Sequence, residues 1–139
     1  MKESISMSWL DEMAFETEIN GHKLVIDANE SVGGKDRGPR PKPLMMASLA
    51  GCTGMDVVSI LKKMRVKFDN LEIKVEGELS EEHPKRYLKM KVIYVFSGEN
   101  LPLDKIQKAV DLSKDRYCGV SVSYKKSMDI EYEIILNTA

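Results

Sequence analysis

The chain has 139 residues, 42% hydrophobic and 31% charged, with a formal net charge of −1. That size fits a single domain, 1–139, with a real core, and the near-neutral balance excludes a general attraction to nucleic acid or to an anionic membrane. No window reads as a membrane span, and MKESISMSWL lacks the apolar centre of a secretory signal, so the expected location is the cytoplasm, where thiols stay reduced.

Residues 4–10 alternate, with Ile5, Met7 and Trp9 on one face and serines on the other, the pattern of a half-buried strand. Met13 to Ile19 alternates again and meets His22 to Asp27 across Asn20-Gly21, a pair that tolerates positive φ and marks a hairpin. An N-terminal meander of three strands is therefore expected. Residues 28–41 hold Gly33, Gly34, Gly38, Pro39 and Pro41, which read as a loop. Its charges, among them Lys35, Arg37 and Arg40, fit a solvated segment.

From Pro43, suited to a first helical turn, a helix is expected to run to Arg65, with Lys62, Lys63 and Arg65 at its negative end. Leu44 to Leu61 offers almost no polar face, and a helix apolar all round must be covered all round, by a second layer or another copy of the chain. Next, Leu71 to Leu79 and Leu88 to Phe96 alternate on either side of Glu81-Glu82-His83-Pro84, a second hairpin. Pro102 opens another helix, whose Leu103, Ile106, Val110 and Tyr117 form one stripe and which ends at Cys118-Gly119. Residues 129–136 alternate through Ile130, Tyr132, Ile134 and Leu136 as a last strand.

Two cysteines, Cys52 and Cys118, cannot by themselves make a four-ligand zinc site, and His22 and His83 have no helically spaced partner, so no metal is expected. A buried cysteine is usually a small hydrophobe. Three features set Cys52 apart from that rule. Gly51 and Gly54 flank it, each costing about 1 kcal/mol against alanine in a helix, so something approaches closely there. Asp56, one turn on, needs a partner on so apolar a helix. Cys118 lies at the end of the other helix, where access is expected. A reactive thiolate at Cys52 needs a cation brought by another segment, and the loop with Arg37, Arg40 and Lys42 is the nearest supply in sequence.

A proline-bearing loop, a long apolar helix with a central cysteine, a hairpin, and a second helix ending in Tyr-Cys-Gly-Val-Ser together resemble the OsmC/Ohr family of thiol peroxidases over essentially the whole chain. GCTGMDVVSIL and AVDLSKDRYCGVS look most like the YhfA-like branch of that family. The resemblance implies an α+β fold with antiparallel sheets and a long central apolar helix. It also implies an intertwined homodimer with active sites at the interface. Cys52 would be the peroxidatic cysteine, attacking a peroxide to give a sulfenic acid, and Cys118 the resolving cysteine, condensing with it to a disulfide. An organic hydroperoxide would be the substrate, an external thiol the reductant, and no cofactor is needed. Where peroxidase members carry a glutamate nine or ten residues before the first cysteine, Pro43 and Lys42 stand here, and Gly119 stands where many have proline. Arg37 or Arg40 would have to partner the thiolate, and Met45, Met46 and Met55 are candidates for substrate contact. The alternative is a binding module or redox-responsive protein of the same fold, without peroxidase turnover.

Overall fold

In the computed structural model, which describes residues 1–138, Asn20 and Gly21 take φ of 52° and 80°. Two successive positive φ values match the twist of an antiparallel pair, and they join β2 (Ala14–Ile19) to β3 (His22–Ile26). β1 (Met7–Asp11) pairs antiparallel with β2, Trp9 opposite Phe15, which completes the meander. The chain divides into two compact units at Met45/Met46, and this meander with its following loop is the first.

Every residue of β1 is exposed, not half-buried as its alternation suggested. The apolar side chains of this unit instead line an open hollow of about 750 Å³, among them Met7, Met13, Phe15, Ile26 and Val32. The loop after β3 carries Lys35, Asp36 and Arg37 at the surface, as the reading of a solvated segment expects, and it is also tied down by hydrogen bonds. The Asp27 carboxylate accepts hydrogen bonds from the amides of Ala28 (2.7 Å), Lys35 (3.2 Å) and Arg37 (3.2 Å) and from the Arg37 guanidinium (3.1 Å). The backbone folds back so tightly that a Cβ on Gly34 would sit 1.9 Å from the Ala28 carbonyl oxygen, so only glycine fits.

The second unit begins within α1 (Pro43–Lys63). Leu49, Thr53, Val57 and Leu61, each four residues apart, form its buried row. A Cβ on Gly54 would lie 2.7 Å from Ile73 Cδ1, so glycine lets β4 (Asn70–Leu79) approach α1. Around Gly51 there is nothing within 4 Å. Gly51, Met55, Val58 and Lys62 share an exposed face beside a groove of about 780 Å³. By length and composition this 21-residue helix could cross a bilayer, which corrects the expectation that no segment reads so. Its buried row is covered within the unit; the opposite face is not.

β5 (Tyr87–Ser97) is the central strand, antiparallel to β4, and Met90, Val92, Tyr94 and Phe96 along it are fully buried. β6 (Asp129–Asn137) joins it in parallel, Tyr94 opposite Ile134, so the second sheet is mixed. A parallel pairing needs a crossover, here supplied by α2 (Leu103–Leu112), a π turn (Ser113–Tyr117) and α3 (Gly119–Lys125). Ile106 and Val110 of the expected stripe are buried, but Leu103 is 52% and Tyr117 60% exposed. The widened π turn breaks the 3.6-residue spacing, so Ser113 and Cys118 turn inward in place of Tyr117.

Candidate active site

Cys118 sits between two helical pieces in extended conformation (φ −83°, ψ 100°). Its amide donates to the Ser113 carbonyl (2.8 Å), closing the π turn, and its sulfur accepts from the Ser121 amide (3.3 Å), capping α3. Gly119 therefore starts a helix where a stop was expected. The Cys118 side chain is fully buried, not accessible as its place at a helix end suggested.

Half-buried Cys52 comes from the middle of α1, 66 positions earlier. The sulfurs of Cys52 and Cys118 and a carboxylate oxygen of Asp56 all lie within 4.8 Å of one another. The partner that Asp56 requires is Ser113, which donates its hydroxyl to Oδ2 at 3.0 Å. The π turn thus delivers two groups to α1, the hydroxyl that holds Asp56 and the thiol that meets Cys52.

Burial pushes the Cys118 thiol up to about 11, helped by its contact with Cys52 and the charge of Asp56 and opposed by the Ser121 amide. At neutral pH it is a protonated thiol. The Tyr94 hydroxyl, fully buried, also feels Cys118 and Asp56. Burial raises its pKa and the neighbouring Thr53 side chain lowers it, although the two hydroxyls make no hydrogen bond of good geometry. Ser121 and Tyr132 share a short hydroxyl–hydroxyl bond beside α3.

The other candidates from the sequence fall elsewhere. Arg37 is held by Asp27 (3.1 Å) and Asp11 (2.6 Å), and Arg40 by Asp36 (2.7 Å), all within the first unit. Met45 and Met46 are half-buried and Met55 is 77% exposed on the open face of α1. His22 and His83 are exposed. Ser113, Ser121 and Tyr94 were missed, because nothing in their spacing marks them. Asp56 borders a hollow of about 580 Å³ that Ile60, Lys63, Lys108 and Tyr117 also line.

A family model described as OsmC-like protein matches residues 33–133, a span that includes both cysteines and both loop arginines. Protein YhfA of Escherichia coli K12 is 30% identical over 132 residues, 93% of this chain and 96% of that protein. A hypothetical protein from Aquifex aeolicus VF5 has the same fold, with a TM-score of 0.86, 24% identity and coverage of 100% of this chain and 98% of that one. So does an organic hydroperoxide resistance protein from Elizabethkingia anophelis, with a TM-score of 0.72, 11% identity and coverage of 99% of each chain.

Proposed function

Since the chain belongs to the OsmC-like protein family, we propose that it is a thiol-dependent peroxidase for organic or fatty-acid hydroperoxides. The observation that carries this reading is the approach of Cys52 and Cys118 within 4.8 Å, from which a small side-chain movement makes a disulfide.

In the proposed reaction the Cys52 thiolate attacks the outer peroxide oxygen, the O–O bond breaks, and the alcohol leaves with a proton. Cys52 is then a sulfenic acid, oxidised by two electrons. Cys118 gives up its proton and attacks the Cys52 sulfur, and water departs as the disulfide forms. Asp56, oriented by Ser113 and within 4.8 Å of both sulfurs, is the base that takes that proton. External thiols return the two electrons. Of the loop arginines proposed to supply positive charge to the thiolate, Arg37 is committed to two carboxylates, whereas Arg40 is paired with exposed Asp36, a bond of small worth, and donates to the Gly38 carbonyl.

The same proposal has a second copy of the chain covering the open face of α1, the two units acting together as one domain in a cytoplasmic homodimer. Met55, exposed in one chain, then adds to an apolar surface that favours bulky substrates. Reduced protein mixed with cumene hydroperoxide should lose two thiols per chain and yield a linked Cys52–Cys118 peptide, faster than with hydrogen peroxide. If neither oxidant outpaces its reaction with a free thiol at the same pH, the peroxidase reading fails and apolar binding without turnover replaces it.

A further inference from the structure

Two thiols and a carboxylate, converging from α1 and the end of the π turn, are also a set of metal donors. We infer that Cys52, Cys118 and Asp56 form, in the reduced protein, a three-ligand site for a thiophilic divalent cation, Zn²⁺ by the chemistry of its donors. The inference does not rest on peroxide turnover, since the same three groups bind a cation whether or not they react with a peroxide.

The geometry fits. Zinc holds thiolate sulfur at about 2.3 Å and carboxylate oxygen at about 2.0–2.2 Å, so donor atoms in a tetrahedral site stand roughly 3.5–3.8 Å apart. The three donors here already lie within 4.8 Å of one another, so closure takes about 1.3 Å at most, within reach of side-chain rotation. Two thiolates disfavour magnesium and calcium, which seek oxygen.

The surroundings fit as well. Groups that bind a metal are themselves held by outer hydrogen bonds. Ser113 orients Asp56 at 3.0 Å, and the Ser121 amide points at the Cys118 sulfur at 3.3 Å. The Tyr94 hydroxyl, wholly buried and without a hydrogen bond of good geometry, feels the charges of Cys118 and Asp56 and is a candidate outer donor to the site. Two thiolates and a carboxylate carry one negative charge more than Zn²⁺ offsets, and Lys63 and Lys108 line the hollow that Asp56 borders. A tetrahedral ion held by three protein groups keeps a fourth position open, as catalytic rather than structural zinc sites do.

Binding would be a substitution without electron transfer: two thiols lose their protons to solvent and two sulfur–metal bonds form. A disulfide has no thiolate to offer, so metal and disulfide exclude each other, and the ion would shield both sulfurs from oxidants.

The test is a titration of fully reduced protein with Co²⁺, a coloured substitute for zinc, under argon, followed by displacement with Zn²⁺. One equivalent should give a thiolate-to-cobalt charge-transfer band and release two protons, measured with an indicator dye. Oxidised protein should show no band. Asp56→Asn keeps the hydrogen bond from Ser113 and should weaken binding by about 100-fold or more, since even outer groups are worth 10- to 100-fold. Tyr94→Phe should weaken it by about 10-fold. Cys52→Ser and Cys118→Ser should each lose most of the band. Absence of the band in the reduced parent, or affinity unchanged in Asp56→Asn, would overturn the inference. Peroxide reactivity is assayed separately on metal-free protein, so failure of one reading leaves the other standing.

Discussion

Replacing Gly51 by lysine places an ammonium in the middle of the open face of α1. Within one chain the substitution meets no clash at its root, because no atom lies within 4 Å of an added Cβ and the position faces an open groove. The helix then gains about 0.5–1 kcal/mol from exchanging glycine for a better helix former, and a melting temperature higher by roughly 2–4 °C follows for a domain of this size. In the proposed dimer the outcome reverses. A two-fold contact repeats the substitution in both copies, and an unpaired ammonium taken out of water costs several kcal/mol. A loss of about 4 kcal/mol is roughly a thousandfold in dissociation constant. Sedimentation equilibrium at micromolar protein should give the parent twice the 15.7 kDa of one chain and the variant the mass of a single chain. A parent that sediments at 15.7 kDa, or a variant that stays dimeric and melts higher, would refute the argument that a second copy covers this face.

Ser113→Ala removes the hydroxyl held by Asp56 at 3.0 Å; a hydrogen bond to a charged group is worth about 1.5–3 kcal/mol, so the urea midpoint should fall at unchanged slope. Gly34→Ala should cost more than about 3 kcal/mol, because the clash is with the Ala28 backbone and not with a movable side chain; hydrogen exchange at the Lys35 and Arg37 amides should accelerate with it. Burial pushes the Asp27 carboxyl up, but the amides of Ala28, Arg37 and Lys35 and the Arg37 guanidinium together outweigh it and hold it at about 2. A depressed carboxyl stabilises the fold above its unfolded value of about 3.9 and loses that contribution as pH falls toward 2. The parent's melting temperature should therefore drop between pH 4 and 2 more steeply than that of Asp27→Asn.

Local rules carried much of the fold. Asn20-Gly21 gave the meander its hairpin, proline and apolar residues without β-branching gave α1 its start, and alternation located β4, β5 and β6. What alternation does not encode is the partner of a strand. The sequence of β6 reads identically whether it joins β5 in parallel or antiparallel, so the mixed sheet was invisible. α3 was missed because Gly119 is a natural stop, and only the extended Cys118 between two helical turns makes it a start. The two cysteines stood out through their family motifs, whereas Ser113, 57 positions from Asp56, is joined to it only by folding. The loop charges are solvated, as they read, but their spacing does not show that the buried Asp27 carboxylate ties down the Lys35 and Arg37 amides and the Arg37 guanidinium.

The sulfur of Cys118 does a second job as the acceptor that begins α3. A seven-residue helix is too short to persist on its own, so its first hydrogen bonds matter. The experimenter's customary replacement for a thiol, serine, is a preferred residue at this position, while alanine accepts nothing there and costs about 1 kcal/mol relative to serine. Cys118→Ser and Cys118→Ala are therefore chemically equivalent deletions that leave two differently anchored proteins. A change in activity seen with both belongs to the missing sulfur. A change seen with alanine alone belongs to a frayed α3 and, through Ser121 and Tyr132, to the strand beside it.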